Sequence, residues 1–127
     1  MEPRAEIVEL TRRLLQAIAE KDWAAYQELC ADDLTAIEPE SLGQRVEGLE
    51  FHRFYFGLGG GIKAHLTSLC SPHVRLLGDT AVISYVRLTQ GVDADGRPTT
   101  AGAAESRVWS RQSGRWKMVH FHRSVLP

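Results

Sequence analysis

The sequence predicts an α+β fold in which N-terminal helices pack into a strongly curved antiparallel sheet. Three observations carry that reading: apolar residues recur at helical steps early in the chain, alternate with a period of two over most of the remainder, and turn residues punctuate the alternation at hairpin spacing. Helices first and a long meander last let the sheet wrap around the first helix and leave a pocket. Of 127 residues, 43% are hydrophobic and 24% charged, as in ordinary globular domains. A chain of this size buries roughly two thirds of its unfolded surface, enough for one sizeable core. Residues 1–127 therefore read as a single domain.

From Glu2 to Glu20, the residues Ile7, Leu10, Leu14, Leu15 and Ile18 draw one stripe along an amphipathic helix. The stripe breaks at Lys21-Asp22-Trp23, where Asp22 is placed to cap a short second helix through Ala24, Ala25, Tyr26 and Leu29. Leu34 to Ile37 reads as a short strand ended by Pro39. Glu47 to Phe56 carries Phe51, Phe54 and Tyr55 at helical spacing, and Gly57 with Gly59-Gly60-Gly61 closes that helix into a loop. Beyond the glycines, Ile62, Ala64 and Leu66 alternate with Lys63, His65 and Thr67, a strand that Pro72 and Gly78-Asp79 interrupt. Thr80 to Gln90 is the strongest strand, with Ala81, Ile83, Tyr85, Arg87 and Thr89 on one face. Val92 to Gly96 turns, Ala103 to Arg111 returns, Ser113-Gly114 turns again, and Trp116 to Arg123 ends the meander.

Charge and cysteine usage exclude several functions. Fifteen Lys and Arg oppose sixteen Asp and Glu, a formal net charge of −1, so no polyanion-binding face and no nucleic-acid partner is expected. Cys30 and Cys70 form no Cys-x-x-Cys, which leaves neither a disulfide framework nor a four-cysteine zinc site and points to reduced, buried thiols. The longest apolar stretch, Leu14 to Ala19, is short and interrupted by Gln16. Neither a signal peptide nor a membrane span is read, and a cytoplasmic or similar reducing compartment is the expectation.

The candidate chemistry lies in the meander. Arg87, Arg107 and Arg123 fall on its successive strands, Arg87 sharing a face with Ile83 and Tyr85, and Arg123 one with Val119 and Phe121. A cluster of planar, permanently charged forks in a partly desolvated cavity suits a carboxylate or phosphate. The plainer reading pairs these arginines with internal acids such as Glu105 or Glu38, because an unpaired guanidinium there would be costly. His52 and Tyr55 share a helix face and could line the cavity mouth, although a histidine beside aromatics is more often packed than catalytic. His120 and His122 alternate at a spacing compatible with two metal ligands, but no third ligand is evident. Gly-x-Ser-x-Gly is absent, neither cysteine has a sequence-evident histidine partner, and the glycine run lacks the Lys-Ser/Thr of a phosphate loop. No cofactor is implied.

Two longer segments are more specific. Thr35-Ala36-Ile37-Glu38-Pro39-Glu40-Ser41-Leu42-Gly43, continuing through Val46-Glu47-Gly48-Leu49-Glu50-Phe51-His52-Arg53-Phe54-Tyr55-Phe56, and Val119-His120-Phe121-His122-Arg123-Ser124 resemble the association, or hub, domain of calcium/calmodulin-dependent protein kinase II. Ser71-Pro72-His73-Val74, Arg87-Leu88-Thr89-Gln90 and Glu105-Ser106-Arg107-Val108-Trp109 resemble it between them in the same order. The resemblance implies the cone of the nuclear transport factor 2-like superfamily. It also implies an assembly module without catalytic activity, gathered into two stacked rings of ten or more subunits. Partners would be further copies of the chain and, by extension, a kinase bearing the same hub. Arg87, Arg107 and Arg123 fall on the family's cavity arginines, and His52 matches a pocket residue there. Small carboxylates are the ligand class so implied.

Departures from the family pattern qualify this. The 127 residues hold no kinase domain and no basic calmodulin-binding helix, so neither kinase activity nor calmodulin capture is expected of them. Gly57 to Gly61 replaces a tryptophan-bearing loop near the pocket, and the tail Ser124-Val125-Leu126-Pro127 is shorter than in the kinase hubs, which bears on pocket closure and ring size. The alternative is a small enzyme of the isomerase, dehydratase or cyclase kind acting on an anionic small molecule, drawing on Glu38, Glu105, His52 and Tyr55. A docking module for a kinase fragment or another chain is a third reading.

Overall fold

Helix α1 (Pro3–Glu20) begins where the sequence supplies both start signals: the Glu2 carboxylate accepts from the backbone N–H of Arg4 and Ala5, and Pro3 sits where a missing N–H costs nothing. The computed structural model that shows this describes residues 1–58 and 65–127. The inward face of α1 is Ile7, Thr11, Leu14, Leu15 and Ala17, while Leu10 and Ile18 pack at the border of the core. Thr11 tolerates burial because its hydroxyl donates to Ile7 O at 2.8 Å and accepts from Trp109 Nε1 at 3.2 Å. Helix α2 (Trp23–Leu29) starts at Asp22, whose carboxylate accepts from Ala25 N–H.

Strand β1 (Cys30–Ile37) begins four residues before the expected Leu34. Its register slips between Cys30 and Thr35, which turns the adjacent Asp32 and Asp33 outward and hides the alternation from the sequence. A 3₁₀ turn (Pro39–Ser41) follows, then β2 (Val46–Glu47) and helix α3 (Glu50–Phe56). Helix α3 is shorter than the expected Glu47 to Phe56 and faces the other way: His52 is buried, whereas Phe54 is 64% exposed.

Strand β3 (His65–Leu77) runs through Pro72 rather than stopping there. It is the edge strand, so the proline withholds no hydrogen bond that a neighbour needs, and a register slip between Cys70 and His73, with Ser71 at φ 52°, absorbs the distortion. The Gly59-Gly60-Gly61 run and the expected start of this strand at Ile62 lie outside the described residues. Strands β4 (Thr80–Val92), β5 (Pro98–Gln112) and β6 (Arg115–Val125) complete the meander. Both residues of the Ser113-Gly114 turn have positive φ, the conformation whose twist matches the flanking strands.

The six strands form one sheet in the order β2-β1-β6-β5-β4-β3, antiparallel except where β1 pairs β6 in parallel, Thr35 opposite His120 and Ala36 opposite Phe121. A bulge at Val119 resets the phase of β6, so Met118 and Phe121 both face the core and Val119 does not share Phe121's face as the plain alternation predicts. Helix α1 packs on the concave side against β3 and β4, with Trp109, Leu14, Ile7, Ile83 and Tyr26 among the fully buried side chains. Of the two cysteines, both free, Cys30 is buried and Cys70 half-buried. No helix among the described residues is long and apolar enough to cross a membrane.

Candidate anion pocket

Between α3, the 3₁₀ turn and the concave face of β4 to β6 lies a cavity of about 310 Å³. All five residues singled out from the sequence line it: His52, Tyr55, Arg87, Arg107 and Arg123. Period two along β4 carries Arg87 inward from Ala81, and pairing of Arg107 with Phe121 places the two remaining arginines on the same wall. The depths differ. Arg107 is 1% exposed, the Arg87 and Arg123 side chains are each 16% exposed, and Tyr55 sits at the rim.

Glu105 organises the inner end. Its Oε1 accepts from Tyr85 Oη at 2.5 Å and from Arg107 Nη2 at 3.2 Å, and its Oε2 lies 2.9 Å from Arg87 Nη2. Arg107 Nε also donates to Tyr85 Oη at 2.9 Å, and the guanidinium lies over the Phe121 ring at 4.4 Å. Burial would raise the pKa of Glu105, but Arg107 and Arg87 and the Tyr85 hydroxyl outweigh it and hold the carboxyl below the ordinary 4.5. Burial likewise would lower Arg107, and Tyr85 and Glu105 raise it instead. Burial pushes the Tyr85 hydroxyl up to about 12.

Arg87 is held differently. The Arg87–Glu105 pair is close in distance but badly aligned, so Glu105 Oε2 has no true hydrogen bond and Arg87 makes none among the described residues. Its pKa is lowered by burial and by the nearby Arg107 and Arg123, with Glu105 opposing. Arg123 pairs at the mouth with Glu40, Nη2 donating to both carboxylate oxygens. Sequence reasoning named Glu105 and Glu38 as internal acids and missed Glu40, which the Pro39-to-Ser41 turn lifts toward β6. Glu38 instead accepts from His52 Nε2 at 2.8 Å, while His52 Nδ1 is buried without a partner among the described residues. The His52 ring packs 5.4 Å from Phe121 and 6.2 Å from Tyr26.

His120 and His122 do not converge on a metal. His120 Nδ1 lies 2.8 Å from Thr35 Oγ1 across the β1–β6 pair, and among the described residues no group of three His, Cys, Asp or Glu side chains is placed to hold an ion.

Residues 3–127 match the calcium/calmodulin dependent protein kinase II association domain family. The chain is 48% identical to the calcium/calmodulin-dependent protein kinase type II subunit delta of Oryctolagus cuniculus over 127 residues, which is 98% of this chain and 24% of that subunit. The chain thus spans about a quarter of that relative's length. Among solved structures, the association domain of the C. elegans kinase superposes with a TM-score of 0.92 at 46% identity, covering 96% of this chain and 95% of that one. A nuclear transport factor 2-like superfamily protein from Salmonella enterica superposes at 0.80 with 23% identity over 98% of this chain and 91% of its own, a likeness of fold alone.

Proposed function

The chain belongs to the calcium/calmodulin-dependent protein kinase II association-domain family, and on that footing we propose that it is a self-association hub. In this reading residues 1–127 act as one hub domain that assembles into two stacked rings of ten or more subunits in a cytoplasmic setting. A kinase bearing the same hub would be able to join such a ring. The observation that carries the reading is the family match over residues 3–127. Exposed apolar side chains support it: Phe54, Leu58, Leu66 and Leu77 leave apolar surface open that a further subunit would cover. Native mass spectrometry tests it. Rings of ten or more copies are expected, and a monomer or simple dimer at micromolar concentration overturns the reading.

The cavity adds a binding function to the hub. Arg87 presents a guanidinium fork, with no aligned acceptor among the described residues, to a space with an apolar wall of Ile18, Phe56 and Phe121. A small carboxylate fits that site, its charge meeting Arg87 and its carbon chain meeting the apolar wall. Arg107 is already held by Tyr85 and Glu105, and His52 Nε2 by Glu38. Calorimetric titration with short carboxylates at millimolar concentration tests this, and substitution of Arg87 by Lys should weaken binding while leaving the assembly intact.

One observation favours the enzymatic alternative. The His52–Glu38 pair is the arrangement of an oriented base, with Nδ1 unpartnered. Its buried Nδ1 would have to be uncovered for proton abstraction. Turnover of an anionic substrate that disappears on substitution of His52 by Gln would establish this reading in place of passive binding.

A further inference from the structure

The three guanidiniums of the cavity differ in what already occupies them. Arg107 is filled by Tyr85, Glu105 and the Phe121 face. Arg87 has one misaligned ion pair and no hydrogen bond among the described residues. Arg123 meets both oxygens of Glu40 through Nη2. The Glu40 side chain, 37% exposed, stands at the solvent end of the cavity, and the turn that carries it is braced. Ser41 Oγ donates to Glu38 O at 2.8 Å and accepts from Glu38 N–H at 3.2 Å, and Leu42 closes the turn in the left-handed region at φ 54°. An exposed leucine held in that conformation stores strain, which marks the turn as fixed by its surroundings rather than free to swing.

We propose that Glu40 is the charge-selectivity residue of this pocket. It engages Arg123 Nη2 with the chain's own carboxylate, leaves Arg87 as the guanidinium without an aligned partner among the described residues, and so admits a short monocarboxylate while excluding a dicarboxylate. The inference rests on the carboxylate-pocket reading above. A dicarboxylate that seats one end on Arg87 brings its other end toward Glu40 and Glu38, two acids on the cavity wall, and meets in Arg123 a guanidinium whose Nη2 is already paired with Glu40. To bind, it must expel Glu40 from Arg123 and replace one charge-assisted pair by another, for no net gain. A monocarboxylate meets neither obstacle, and its tail lies on the apolar wall.

Butyrate and succinate, which share a four-carbon chain, are the probes, titrated calorimetrically into the intact assembly. The unaltered protein should bind butyrate and discriminate against succinate. Glu40→Gln frees Arg123 and should tighten succinate by about tenfold or more, the effect of one additional charge-assisted contact, with butyrate changing by less than about threefold. Glu40→Asp keeps the charge and should keep the discrimination. Thermal melts of both variants confirm that the fold is retained. Succinate affinity unchanged in Glu40→Gln, or a rise of equal size for both ligands, overturns the selectivity role. Failure of the unaltered protein to bind butyrate overturns the pocket reading instead. Even then, succinate uptake by Glu40→Gln supports Glu40 as the group occupying Arg123, and its absence overturns that role.

Discussion

Glu105 shows how a buried acid can be a structural necessity. It is 2% exposed and stands between Arg107 and Arg87, so removing its charge strands two desolvated guanidiniums. Glu105→Gln should cost about 3–5 kcal/mol, the range for breaking a buried ion pair from one side. A fall in denaturant midpoint at unchanged slope measures it. The same group sets an acid limit. Its native pKa is depressed, so its contribution to stability is fully present above the unfolded value of 4.5 and is lost as pH falls through the lower native value. Chemical denaturation repeated from pH 7 downward should therefore show the loss begin near 4.5, and a loss that Glu105→Gln leaves unchanged would contradict the assignment. The cysteines make a second contrast. Burial pushes the Cys30 thiol up to about 12, so a thiol reagent at pH 8 should modify half-buried Cys70 and leave Cys30 untouched until the chain unfolds.

Among the elements, β4 was the most readable because nothing disturbs its alternation: from Ala81 through Arg87 every second side chain faces in, and the cavity arginine could be found by counting. The bulges were not readable, since one extra residue reverses the phase without leaving a mark in composition. At Val119 this brought Met118 inward, and at Cys30 to Thr35 it concealed half a strand. Helix α3 misled for another reason. Its aromatic residues suggested a core-facing side, but the side that packs is chosen by the Glu38 hydrogen bond to His52 and leaves Phe54 outside. The resemblance of residues 35–56 to a known family singled out His52, and the helix face it shares with Tyr55 added the second residue; both line the cavity, yet Glu40 escaped notice because its partner is 83 positions away. Turn chemistry offers a cleaner test at this scale. Gly114 has φ 77° and open space around the position of an added Cβ, so Gly114→Ala should cost about 1–2 kcal/mol through backbone conformation alone, read from the shift in melting temperature.

For the molecule as a whole, the separation of assembly from stability is the informative experiment. Phe54 makes no contribution to the monomer core, so Phe54→Glu should alter subunit stability by no more than about 0.5 kcal/mol. On the proposed hub reading, native mass spectrometry of that variant should show smaller assemblies if α3 meets a neighbouring subunit, and an unchanged assembly size would place the subunit contact elsewhere. The parallel pairing of β1 with β6 has a different consequence, one of timing. Thr35 must wait for His120, 85 positions later, and among the described residues the other strand beside β1 is two-residue β2. During synthesis α1 and the strands β3 and β4 that it packs on leave the ribosome before β6, the strand that joins β1 to β5, exists. Trp109 and Tyr26 then lack Met118 and Phe121, and the arginine cavity lacks a wall. β1 is therefore expected to find its place in the sheet only once β6 has emerged, and until then β1 and β5 each present an unpaired edge, the kind of surface chaperones hold.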